Sequence, residues 1–133
     1  MKLCFDHGEI DIIVASSRTE KPTEKWQFEA MVINIETPSE IIVKKIFYRP
    51  SSFKVRDVFD FAATLPEYGD ILYQNIFEVD DKLDKVIDRI KRMSSVYETL
   101  ALSEVNPTEI GQQFMSRNAI DSVIAFLESW KSQ

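Results

Sequence analysis

Nine carboxylates fall between residues 57 and 88: Asp57, Asp60, Glu67, Asp70, Glu78, Asp80, Asp81, Asp84 and Asp88. Only Lys82 and Lys85 oppose them, a local charge of −7 in a chain whose formal charge is −6. Acids alone support two chemistries: an acid/base pair for glycoside cleavage, or a metal site for hydrolysis. Asp57 and Asp60 share one helical side, and Glu67 and Asp70 flank Tyr68-Gly69. Acids three or four apart also line ordinary solvated helices, so this spacing specifies no reaction by itself. The other reactive residue types are scarce. Cys4 is the one cysteine and His7 the one histidine. With Asp6 they are near neighbours in sequence but fall short of a closed zinc set. Any nucleophile–base pair built on histidine would need His7, and Cys4 at a strand end is poorly placed to meet it. The stretch EVDDKLDKVID has the acids of a calcium loop but lacks its glycine turn. The three glycines, at 8, 69 and 111, are isolated and form no phosphate cradle. The expectation is a non-enzyme with no catalytic residue, no metal and no cofactor.

Binding is the stronger reading of the acidic stretch. Its field repels nucleic acid and anionic membrane, and speeds encounter with basic surfaces. The most basic run is Lys82, Lys85, Arg89, Lys91 and Arg92. Glu78–Lys82, Asp81–Lys85 and Asp88–Arg92 are each four apart in the favoured acid-first order, which reads as a neutralised helix face. Aromatic residues interleave with the acids. Val58, Phe59, Ala62, Ile71, Leu72, Ile76 and Phe77 are read as inward-facing. Phe61 falls about 200° round a helix from Phe59, so the two cannot share one buried face. The expected partner-binding set is therefore Asp57, Asp60, Phe61, Glu67, Tyr68, Asp70, Tyr73, Glu78 and Asp80. Acids supply steering and aromatics supply anchoring area. The expected function is a protein-binding module, at its sharpest a stoichiometric inhibitor of the immunity or antitoxin type. It would occlude the active site of a basic, nucleic-acid-cleaving partner. Two alternatives are a homodimeric structural or scaffold subunit and a carboxylate-only, metal-dependent enzyme.

The elements that must hold these residues are legible in outline. The 133 residues, 44% hydrophobic and 29% charged, fit one globular domain over 1–133. The fold class expected is α+β: an N-terminal antiparallel sheet of three or four strands, then a helical C-terminal half packed on one face. Lys2–Phe5, EIDIIVAS (9–16), WQFEAMVINI (26–35) and EIIVKKIFY (40–48) read as strands. Asp6-His7-Gly8 reads as a turn, SSRTEKPTEK (16–25) as a polar loop and Thr37-Pro38-Ser39 as a break. Trp26, Phe28, Ala30 and Val32 are expected on one strand face. A helix capped by Ser51 or Ser52 carries Val55, Val58, Phe59 and Ala62, and Leu65-Pro66 is expected to stop it. Tyr68-Gly69-Asp70 reads as a turn, and 71–78 as helix in preference to strand. An amphipathic helix follows over 80–102, then a helix start at Asn106-Pro107 and a break at Asn118. A lone cysteine, short apolar runs and an N-terminus without an apolar leader lead to a cytoplasmic expectation.

Overall fold

The computed structural model describes residues 2–5, 8–11 and 18–133. The division expected from the sequence is present: antiparallel strands first, helices after. Strand β1 (Lys2–Phe5) pairs with β2 (Gly8–Asp11), and β3 (Thr23–Phe28) with β4 (Met31–Glu36). Among the described residues these are two separate two-stranded ladders. Asp6 and His7, which carry the expected turn and belong to the Cys4–Asp6–His7 group, and the far end of the 9–16 strand lie outside the described residues.

The stretch read as one strand, 26–35, is a hairpin. Its two-residue turn is Glu29-Ala30, with Glu29 in the left-handed region at φ 54°. The turn shifts the alternation, so Val32 lies opposite Gln27 and Trp26 opposite Ile33. Trp26 and Val32 therefore do not share a face, and both are exposed, at 56% and 67%.

Residues 40–48 are helix, not strand. Helix α1 spans Pro38–Tyr48, with Thr37 as its N-cap accepting from the Glu40 amide and Pro38 in its first turn. The sequence Thr-Pro-Ser-Glu is a helix start as well as a break. The β-branched content of the segment masked its spacing. Ile42, Val43 and Ile46 are buried, a helical pattern.

Helix α2 (Val55–Asn75) is the longest element, and the one on which the acidic stretch depends. Neither expected interruption occurs: Pro66 sits inside it and Tyr68-Gly69-Asp70 is helical. Val58, Phe61, Ala62 and Leu72 all face the core, and Leu65 packs against it. Burial on both sides of Pro66 thus holds the helix continuous despite one missing amide donor. Its N-cap is Lys54, whose amide donates to the Asp57 carboxylate; Ser51 and Ser52 belong to a preceding 3-10 turn.

A 3-10 segment, Ile76–Lys82, leads into α3 (Leu83–Met93). The single helix expected over 80–102 is broken at Ser94–Val96, where tight backbone bonds from Ser94 to Lys91 and Val96 to Met93 turn the chain. Helix α4 (Tyr97–Glu104) then buries Tyr97 and Ala101, leaving Leu100 at the surface. No α-helix begins at Asn106-Pro107. A 3-10 turn over Ile110–Phe114 precedes α5 (Asn118–Lys131), which starts at the expected break.

Among the described residues the core comes almost entirely from the helices. Its buried side chains come from α1 to α5 with Phe53, Ile76 and Val79, and the described strand side chains are exposed or half-buried. Trp130 of α5 packs partly buried against it. Glu40, fully buried, accepts from the backbone amides of Arg18 and Thr19, and so ties the segment before the hairpin to α1.

Candidate functional site

Helix α2 presents two opposed stripes. Positions 58, 61, 62, 65 and 72 face the core, and positions 60, 63, 67, 70, 71 and 74 face solvent. In the 3-10 segment that follows, Phe77, Glu78, Asp80 and Asp81 are exposed as well. Glu67, Asp70, Glu78 and Asp80 form no ion pair with another described residue. Ile71 and Phe77 lie among them, 49% and 56% exposed.

This stripe keeps most of the expected acids and changes the anchors. Asp57 and Phe61 leave the surface. Phe61 is fully buried and packs edge-on against Phe126 at 5.7 Å. Its neighbour Phe59, two residues earlier, finds a separate partner in Phe114 at 6.2 Å. The conflict between these two rings is thereby resolved with Phe61 in the core. Tyr73 is half-buried: its ring meets Phe126 at 5.6 Å and its hydroxyl donates to the Ser129 carbonyl at 3.5 Å. It fastens α2 to α5. Tyr68 is half-buried beside a groove described below. Ile71 and Phe77, expected inside, are outside instead. Their positions were readable only from a helix running through Pro66.

Asp57 has a structural role. Lys45 Nζ donates to Oδ1 at 2.8 Å, Arg49 Nη2 to the same oxygen at 2.6 Å, and the Lys54 amide to Oδ2 at 2.9 Å. Burial pushes its carboxyl pKa up, but Lys45, the Lys54 amide and Arg49 outweigh that, and the result lies below the ordinary carboxylate value. Lys45 also reaches Asp60 Oδ2 at 3.0 Å, while the Asp60 side chain remains 49% exposed.

The pairing expected along α3 is largely replaced. Asp88–Arg92 forms, at 3.0 Å. The 3-10 geometry at 76–82 removes the one-turn relation of Glu78 to Lys82, and Lys82 lies 3.8 Å from Asp81. Lys131 pairs with Asp84, and Lys91 with Glu128 at 3.2 Å, joining α5 to α3. Basic residues of this region thus serve the helix packing.

Two grooves open beside α2. One, of about 450 Å³, lies at its N-terminal end and includes Lys54, Arg56, Arg89 and Glu104. The other, of about 380 Å³, lies between α1 and α2 and includes Ile41, Asp60, Ala63 and Tyr68. Among the described residues, no group of three His, Cys, Asp or Glu side chains is placed to hold a metal ion. No helix among them is long and apolar enough to cross a membrane. Comparisons with protein-family models, curated proteins and solved structures return no match to this chain.

Proposed function

We propose that this chain is a protein-binding module for a basic partner, and in its most concrete form a stoichiometric inhibitor of the immunity or antitoxin type. The observation that carries the proposal is the outward stripe of α2 and the following 3-10 segment. There Glu67, Asp70, Glu78 and Asp80 are exposed in the same stretch of chain as exposed Ile71 and Phe77. Helix stability accounts for only some of these charges. Glu78 and Asp80 precede α3, where a helix dipole favours acids, but Asp70 lies toward the C-terminal end of α2, whose last turn holds no basic residue. An arrangement that gives α2 no support, yet keeps apolar area in a run of acids, fits electrostatic recognition. Occlusion follows from the same chemistry: a nuclease groove that holds a phosphate backbone is basic, and an acidic ridge competes for it. A cytoplasmic setting belongs to this proposal and rests on the lone cysteine.

The test is capture of the tagged protein's partners from its own cells at low and at high salt, followed by an activity assay on whatever is retained. The expected result is one basic protein at near-equal stoichiometry whose nuclease activity falls as the chain is added. Phe77→Ala should leave folding intact and weaken that complex by about 2 kcal/mol, the scale of a buried aromatic anchor. An interaction indifferent to Phe77→Ala and to salt would remove the stripe as the binding surface.

A further inference from the structure

We propose that the groove between α1 and α2 receives a single arginine side chain presented by the basic partner. The inference rests on the protein-binding reading and adds the residue chemistry at one end of the stripe. Pro38 and Ile41 of α1 form one wall and Ala63 of α2 another. Ile41 is 39% exposed, an apolar residue left uncovered beside a buried neighbour, Ile42, at 1%. Asp60 and Tyr68 border the same groove.

These groups suit a cation with an apolar stem. An arginine's methylenes cover Ile41 and Ala63 while its planar head reaches a carboxylate and lies against an aromatic ring. Asp60 accepts Lys45 through Oδ2, and Oδ1 has no hydrogen-bond partner among the described residues. Lys45 is itself held at 2.8 Å by Asp57, so it stays with the buried carboxylate when a second donor arrives. Lys45 and Arg49 balance Asp57 and Asp60. The net attraction for an incoming cation therefore comes from Glu67 and Asp70, about two and three turns beyond Asp60 on the exposed side of α2. A compact ammonium can reach Oδ1 as well, but it has no flat face to lay against the Tyr68 ring. A guanidinium, with its donors in a flat fork, uses both that oxygen and the Tyr68 ring.

The test needs no captured partner. The ¹⁵N-labelled protein is titrated with Nα-acetyl-argininamide, and in parallel with the lysine and citrulline amides. The expected result is saturable shifts centred on Ile41, Ala63 and Tyr68, with a dissociation constant of about a millimolar. The uncharged citrulline amide should bind about tenfold more weakly, and the lysine amide should fall between them. Ala63→Trp, at an exposed position, should abolish the shifts while the circular dichroism spectrum is kept. Equal binding of citrulline, or shifts spread along Glu67, Asp70 and Glu78 without saturation, overturns the arginine groove. A failed titration with a successful partner capture removes the groove and leaves the stripe. A successful titration with no basic partner captured leaves an arginine site and removes the inhibitor reading.

Discussion

At the scale of single residues, Asp57 controls more of the fold than its place in an acidic run implies. Its buried carboxylate joins Lys45 and Arg49 to the start of α2. Its pKa is lowered in the folded chain, so its contribution is present above the unfolded carboxyl pKa, about 3.9, and is lost as pH falls through the lower folded value. Asp57→Asn should cost about 2–4 kcal/mol at neutral pH, because two cations lose a buried counter-charge. Urea denaturation at pH 7 and at pH 3 checks both claims: the variant's deficit should shrink at the acid end. A deficit that stays constant with pH would contradict the ionic account. The carboxylate run was plain in the sequence; which member turns inward was not. That choice depends on Lys45 and Arg49, which lie on a neighbouring segment and face Asp57 only once α1 is a helix.

The elements show where local signals compete. Thr37-Pro38-Ser39-Glu40 signals a break and a helix start equally, and the β-branched run after it tilts a sequence reading toward strand. Burial of Ile42, Val43 and Ile46 decides for helix. Pro66 posed the opposite problem: a strong local stop was overridden by a core face extending beyond it to Leu72. Pro66→Ala should accordingly stabilise the protein by about 1–3 kcal/mol, measured by thermal or chemical denaturation with the stripe unchanged. No gain would mean that α2 is not continuous through that position. Strong amphipathic spacing made α3 legible, and the Asn118 boundary marked α5. The turn at Ser94–Val96 had no glycine or proline to announce it. In the hairpin, Glu29 occupies a backbone region that favours glycine. Glu29→Gly should relieve about 1 kcal/mol locally, seen as slower amide exchange across β3 and β4.

Over the whole molecule, the charge is divided along α2. Cations at Lys54, Arg56 and Arg89 stand at one end, and the acids from Glu67 to Asp81 occupy the other. Glu67 and Asp70 lie in the C-terminal half of α2, where the dipole gives acids no support, so charge reversal there separates folding from recognition. Glu67→Lys with Asp70→Lys should leave the stability equal or raise it by a few tenths of a kcal/mol. The same pair should slow association with a basic partner about tenfold at low salt and flatten its salt dependence. Stopped-flow association at two ionic strengths, beside a melt of the free protein, reads both. A drop in stability matching the loss in binding would mean that the acids serve the fold. The core and the hairpin also differ in what they offer to light. Trp26 on β3 stands in water, and Trp130 on α5 lies against the helical core. The protein's fluorescence is therefore a two-part signal: a red-edge, iodide-quenchable emission from the hairpin and a bluer, shielded emission from the helices. A Trp26→Phe variant would report on the helical body alone, and Trp130→Phe on the hairpin alone, with no dye attached to either.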